Sequence, residues 1–311
     1  MRKPVKPPAL VPGSKIAVVS PASPAEAPPL ERGVQELARL GYVVGHSPVK
    51  LTPQGYFAGS VEERAAELDA ALADPAVPAV FCVRGGYGSN YLLGRLTALR
   101  PRPKILLGHS DLTALEIFLW QKRGWVTFYG PMVAAGFAAG PAVATGYDAD
   151  SFLRAVTETR SGWPVCLHGE SLSAGEAEGV LLGGCLTLVE TTLGTPWELD
   201  TSGSILLLED RGIKPYQADR ALMHLKQAGK FKRVRGVVLG EFPESEPPRA
   251  GSPTVREVSR RILGELGVPV VWGAAVGHTT RPILTLPLGV RARLRATASP
   301  QLDILEPAVT A

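Results

Sequence analysis

The stretch KILLGHSDLTALEIFLW, Lys104 to Trp120, decides how this chain is read. A run of aliphatic residues stops at Gly108-His109-Ser110-Asp111, and an apolar-periodic segment begins at once. A strand that hands directly to a helix is the unit of an α/β fold. Ser110 at the handover has two readings. It caps the helix, its hydroxyl taking a first-turn amide while Asp111 sits where the helix dipole favours an acid. Or it is a nucleophile displayed at the turn, where the same free amides form an oxyanion site. G-H-S-D-L lacks the second glycine of G-x-S-x-G, which argues against an α/β-hydrolase elbow.

The same alternation runs outward from this stretch. KIAVVSP reads as a buried strand and LERGVQELARLG as an amphipathic helix closed by Gly41. After the strand YVVGHS, the segment SVEERAAELDAALAD carries Ser60 and Glu63 at capping-box spacing. AVFCVRG is a strand, SNYLLGRL a helix, and VTFYGP closes the first series. Strands apolar throughout, each followed by a helix, predict a mostly parallel sheet flanked by helices. From about Gly136 to Glu178 Ala, Gly and Ser accumulate, so the expected division is residues 1–160 as an N-terminal α/β domain, 161–178 as a linker and 179–311 as a C-terminal domain. In the latter, GVLLGG, SILLLED, GVVLGEF and PVVWGAAVGH alternate with helices, and the last segments read as β-structure alone. A smaller α+β domain follows from that pattern.

Composition narrows the function. With 311 residues, 45% hydrophobic and 20% charged, the chain is of ordinary globular character and long enough for two cores. Its net charge of +4 is scattered and aromatics make up 6%, which does not fit a nucleic-acid surface. The longest apolar runs are too short to span a bilayer, and MRKPVKPPALVPG has no apolar secretory core, so no membrane partner and a cytoplasmic location are expected. Cys82, Cys166 and Cys185 are far apart and only Cys166 has a nearby His168, which predicts buried free thiols, no metal and no cofactor.

In a parallel sheet, ligands bind beyond the carboxyl ends of the strands. RGGYGSN, Arg84 to Asn90, ends one strand; its glycines let backbone approach a ligand, with Gly86 as a candidate oxyanion donor, or it is an ordinary tight turn. LLLEDRG ends another with Glu209 and Asp210. Glu209 follows directly on the buried run, where an acid needs a partner, and Asp210 could simply cap a helix. Of the five histidines, His46, His109 and His278 lie at strand ends; His278, in VGHTTRP, has the best context for a base, and His109 adjoins Ser110 too closely to serve it. Serine, glutamate and histidine in the order Ser110, Glu209, His278 form a possible triad.

These segments together resemble the LD-carboxypeptidase family of serine peptidases, the muramoyltetrapeptide carboxypeptidases. The ordered set is KIAVVSPAS, AVFCVRGGYGSNYLL, ILLGHSDLTAL, FYGP, GVLLGGCLTLVETTLGTPWELD, ILLLEDRGIKPYQADRAL, GVVLGEF and VGHTTRPILTLPLG, from Lys15 to Gly289. The resemblance implies Ser110 as nucleophile, His278 as base, Glu209 as its orienting acid, and the amides of Asp111 and Gly86 as the oxyanion hole. It implies a site between the two domains, often in a homodimer, and a muropeptide or small-peptide substrate. Removal of a terminal D-Ala from a murein tetrapeptide is the leading expectation. A microcin C-type immunity hydrolase acting on aminoacyl-nucleotide antibiotics is the alternative, and a catalytically silent peptide- or sugar-binding protein is a third. One loop departs from the family pattern: G-H-T-T-R-P replaces the G-H-G followed by asparagine of many members. An exopeptidase must also hold its substrate's free carboxylate, for which Arg84 and Arg281 are candidates by charge and position.

Overall fold

The apolar strands sort into two sheets. A computed structural model of the chain describes residues 3–45, 51–96 and 102–311. Strands β1 (Lys15–Val19), β2 (Val43–Gly45), β3 (Ala79–Cys82), β4 (Ile105–Gly108) and β5 (Thr127–Tyr129) are mutually parallel, in the spatial order β5-β4-β3-β1-β2. Their connections carry α1 (Ala27–Arg39), α2 (Val61–Ala73) and α3 (Thr113–Arg123). Local chemistry explains the helix limits. Pro28 and Pro29 occupy the first turn of α1, where a missing N–H costs nothing. Ser60 and Glu63 close a reciprocal capping box on α2, and Gly124 ends α3 in the left-handed conformation. SNYLLGRL, expected as a helix, forms only a short 3₁₀ turn over Ser89–Leu92, entered from Gly88 at φ +120°. His46 lies outside the described residues.

Residues 161–178 are not a linker. After α4 (Ala149–Thr157) they form β6 (Trp163–Cys166), β7 (Glu170–Ser173) and the start of β8 (Gly175–Cys185). Composition hid a period of two: in β6, Trp163 and Val165 are buried while Pro164 and Cys166 face outward. Cys166 is therefore exposed, contrary to expectation, whereas Cys82 and Cys185 are buried. The second sheet continues through β9 (Ser204–Glu209), β10 (Gly236–Gly240), β11 (Val270–Ala274), β13 (Arg291–Ala296) and β14 (Gln301–Ile304), with α5 (Leu186–Thr191), α6 (Pro215–Gln227) and α7 (Val255–Leu263) between them. Its spatial order is β6-β14-β13-β8-β9-β10-β11-β7, with β8 to β11 parallel at its centre.

The two halves are interlocked. Strand β12 (Leu286–Leu288) comes from the second half yet pairs antiparallel with β5, completing a six-stranded first sheet. Buried residues of both sheets, among them Phe128, Tyr129, Val271 and Leu286, share one core. The carboxyl ends of β3, β4, β9 and β11 consequently meet where the sheets adjoin. No helix among the described residues is long and apolar enough to cross a membrane.

Candidate active site

Ser110 sits directly beyond β4 with φ +65°, a left-handed backbone that a serine adopts only where its surroundings hold it. It starts a single 3₁₀ turn, Ser110–Leu112, which leads into α3. Ser110 is the first residue of this turn, with His109 at its cap position and Leu112 at that of α3, so the cap reading does not apply. Asp111 is buried. Its carboxylate accepts the Ser89 amide at 2.8 Å, and its carbonyl accepts the Ser89 hydroxyl at 2.7 Å. The serine turn is thereby tied to the glycine-rich turn after β3. That turn is held in place by fully buried Arg64, which donates to the carbonyls of Gly59, Pro21 and Gly88 and lies over the Phe57 ring.

The glycine-rich turn passes close over the serine. A β-carbon on Gly85 would lie 2.9 Å from Ser110 Cβ, 3.1 Å from Ser110 Oγ and 3.4 Å from the Asp111 amide. Gly86, the residue singled out from sequence, has φ +103°, and a β-carbon there would strike Ser23. Gly85 is thus the residue packed against the serine, which the repeated glycines of RGGYG did not distinguish. Among the described residues the amides of Gly86 and Asp111 enter no backbone–backbone hydrogen bond outside regular elements.

Glu209, the last residue of β9, is fully buried. Its Oε2 accepts the backbone amide of His278 at 2.9 Å and contacts His278 Nδ1 at 2.8 Å, while Oε1 accepts the Tyr129 hydroxyl at 2.5 Å. Two glycines make room for it: a β-carbon on Gly277 (φ +58°) or on Gly240 would come within 2.5 Å of its side chain. The glycine of VGH therefore makes room for the Glu209 carboxyl group and that of LGEF for its Cβ. Burial opposes ionisation of Glu209, but the charge and hydrogen bond of His278 outweigh it and hold the carboxyl below its ordinary range. Burial likewise pulls His278 down, and Glu209 more than compensates, leaving the imidazole above its ordinary 6.5. Asp210, the neighbouring acid, instead accepts the amide and hydroxyl of Thr187 in the first turn of α5, the helix-capping role open to it from sequence.

Other groups surround this pair. His109 is buried, with Nδ1 2.8 Å from the Gly130 carbonyl and its ring edge-on to His278 at 5.2 Å between centroids. Burial, then the neighbouring His278, push its pKa down to about 4. Glu116 on α3 is buried with no hydrogen-bond partner among the described residues for either carboxyl oxygen, and burial, then the Glu209 charge, drive its pKa well above the usual carboxylate range.

Ser110 and His278 face one cavity of about 340 Å³, walled by Arg84, Gly85, Gly86, His109 and Arg211 and by small apolar residues including Ala25 and Ala134. This volume suits a small ligand. Of the two arginines expected to bind substrate, Arg84 lines the cavity. Arg281 does not: its guanidinium is engaged by Glu241 at 2.5 Å and by the carbonyls of His168 and Gly273, so it braces the loop that carries His278. The second cavity arginine is Arg211, bonded to Glu244 at 3.0 and 2.5 Å. Sequence reasoning passed over it although it stands two residues after Glu209. Among the described residues no group of three or more His, Cys, Asp or Glu side chains is arranged to hold a metal ion.

Comparison with known proteins agrees with this architecture. Residues 16–130 match the model of the LD-carboxypeptidase N-terminal domain, and residues 178–294 match that of the LD-carboxypeptidase C-terminal domain. A probable murein peptide carboxypeptidase of Bacillus subtilis is 34% identical over 295 residues, spanning 93% of this chain and 91% of its own. The structure of muramoyltetrapeptide carboxypeptidase from Oxalobacter formigenes superposes with a TM-score of 0.79 at 31% identity, covering 94% of this chain and 99% of the other. The microcin C7 self-immunity protein MccF, in complex with aspartyl sulfamoyl adenosine, superposes with a TM-score of 0.87 at 26% identity, covering 99% and 100%. With both halves matched and the two sheets meeting at a shared cleft, the chain belongs to the LD-carboxypeptidase family.

Proposed function

We propose that the protein is a serine carboxypeptidase that removes a terminal D-alanine from murein tetrapeptides by cleaving an L,D-peptide bond. The observation that carries the reading is the pairing of His278 with buried Glu209 in the cavity that Ser110 also faces. In this reading Ser110 Oγ attacks the scissile carbonyl carbon and His278 Nε2 takes its proton. Glu209 keeps the Nδ1 proton in place and stabilises the imidazolium, without itself becoming protonated. The imidazolium then gives its proton to the departing D-Ala nitrogen, and water, deprotonated by His278, releases the acyl group from Ser110. The amides of Asp111 and Gly86 receive the oxyanion, each donor contributing about 3–4 kcal/mol in comparable sites.

Several features support a peptide end group. The cavity walls contributed by Ala25, Pro29, Met132, Ala134 and Ala135 are apolar, in keeping with a D-Ala methyl. Arg84 and Arg211 on the same cavity supply charge for carboxylates. The murein names carried by the Bacillus and Oxalobacter relatives point the same way. The likeness to MccF favours a second reading, hydrolysis of an aminoacyl sulfamoyl nucleotide by the same three residues. A cytoplasmic homodimer acting on recovered muropeptides completes the proposal, and light scattering should give twice 32.9 kDa.

The deciding experiment compares kcat/KM for L-Ala-D-Glu-meso-diaminopimelate-D-Ala and for aspartyl sulfamoyl adenosine, with a strong chelator present. Efficient D-Ala release with weak nucleotide turnover is expected. The reverse preference would transfer the assignment to the immunity-type reaction, and loss of rate with chelator would end the metal-independent reading.

A further inference from the structure

We propose that Tyr129 is a positioning residue of this site: its buried hydroxyl fastens the backbone of Ser110 to the carboxylate of Glu209 and so aligns the two halves of the triad. The inference rests on the serine-peptidase reading above and adds a residue to it. Tyr129 ends β5, whose register sets it beside Gly108 of β4, two residues before the serine. Its hydroxyl accepts the Ser110 amide at 3.3 Å and donates to Glu209 Oε1 at 2.5 Å. A phenol has one proton to give and lone pairs to receive, so both bonds form at once.

Each bond answers a need visible at its far end. Ser110 lies at φ +65°, and its amide is pinned by this hydroxyl rather than by the helix that follows. Glu209 spends Oε2 on the amide and ring of His278, leaving Oε1 to Tyr129. The serine belongs to the first half of the chain and the glutamate to the second, so one side-chain oxygen spans the join.

The groups around Tyr129 make Glu209 the anion to which it answers. Glu116 on α3 is a buried carboxyl whose pKa burial, then the Glu209 charge, raises well above the usual range, and Cys185 at the end of β8 is a buried thiol whose pKa burial raises further. His109, edge-on to the Tyr129 ring at 6.1 Å, is neutral above about pH 4. Beyond Glu209 stands His278, with Asp210 and Arg211 farther along the same strand end. Removing the hydroxyl withdraws a donor from Glu209, concentrates its charge on His278 and makes the imidazole more basic. Because His278 accepts a proton only when neutral, the acidic limb of the rate profile then moves to higher pH.

The test is Tyr129→Phe, which keeps the ring, and replacement of Tyr129 by 3-fluorotyrosine, whose hydroxyl is a stronger donor. For Tyr129→Phe, kcat on the tetrapeptide should fall about 10- to 100-fold with KM little changed, and the acidic limb of kcat/KM should rise by about half a pH unit or more. The fluorotyrosine protein retains the hydroxyl and should shift the limb downward, which also covers the case in which the phenylalanine variant folds poorly. Loss of rate with an unmoved limb in both proteins would show that Tyr129 only packs, and parent-like kinetics would equally overturn the proposal. Ser110→Ala is run beside them. If it keeps turnover the serine-peptidase reading itself fails, whereas an inactive Ser110→Ala with a parent-like Tyr129→Phe removes the tyrosine's role alone.

Discussion

Gly85→Ala isolates the close passage of the glycine-rich turn over the serine. The added methyl would start 2.9 Å from Ser110 Cβ and 3.1 Å from its Oγ. Carbon atoms prefer about 3.5–4.0 Å, so roughly 0.6 to 1 Å must be recovered by movement. The serine has little freedom to give it, since its left-handed backbone is held by Tyr129 and the adjoining Asp111 by Ser89. A misplacement near 1 Å costs on the order of 100-fold in rate, so kcat/KM should fall about 10- to 100-fold, or about 1.4–2.8 kcal/mol in transition-state stabilisation. Overpacking should remove about 1–3 kcal/mol of stability as well. Gly264→Ala is the control: the position is helical, with open space around it, and the change should leave activity intact. The assay is D-Ala release from the tetrapeptide, followed by a coupled oxidase, with melting temperature measured on the same samples. A Gly85→Ala enzyme with parental kcat/KM would refute the reasoning, because the methyl would then have found room without disturbing Ser110.

Three further outcomes follow from the same geometry. Glu209→Gln should lower kcat by about 10³- to 10⁴-fold while the protein still folds, because the imidazole loses both its counter-charge and its enforced tautomer; retention of rate would remove Glu209 from the mechanism. Since His278 is raised above 6.5 in the folded protein, its pairing with Glu209 contributes stability that is fully present below 6.5 and fades as pH climbs through the folded pKa. Activity needs the neutral ring, so the acidic limb of kcat/KM should lie above pH 6.5 while melting temperature declines across the same interval; a limb below 6.5 would contradict the assigned environment. Arg211→Ala should raise KM for the tetrapeptide about tenfold or more, whereas Arg281→Ala should leave KM near parental and cost about 1–3 kcal/mol of stability by taking the arginine from Glu241 Oε1, while Oε2 keeps Thr280; the opposite pattern would restore Arg281 as the carboxylate anchor.

Much of this was legible in the residues, for physical reasons that differ from place to place. The capping box of Ser60 and Glu63 is local chemistry and fixes the start of α2 without tertiary help. The buried run ILLLE announces a strand whose terminal carboxylate needs a partner, and Glu209 has one in His278. What stayed hidden depends on contacts far apart in sequence. Leu286–Leu288 carries no mark that it will pair with β5 in the other sheet. Tyr129 in FYGP reads as an ordinary buried aromatic until the fold brings its hydroxyl to Glu209, 80 residues away. Arg281 beside His278 looked free to meet a substrate, yet Glu241 and two carbonyls claim it first. Between Gly85 and Gly86 only the direction of a missing side chain decides, and sequence does not contain it.

The central claim is that Ser110 is the nucleophile served by His278 and Glu209. Its most direct measurement is turnover of L-Ala-D-Glu-meso-diaminopimelate-D-Ala by Ser110→Ala, which deletes one oxygen from the cavity. D-Ala release should fall by at least about 10⁴-fold with the melting temperature preserved. Turnover at the parental rate would contradict the account.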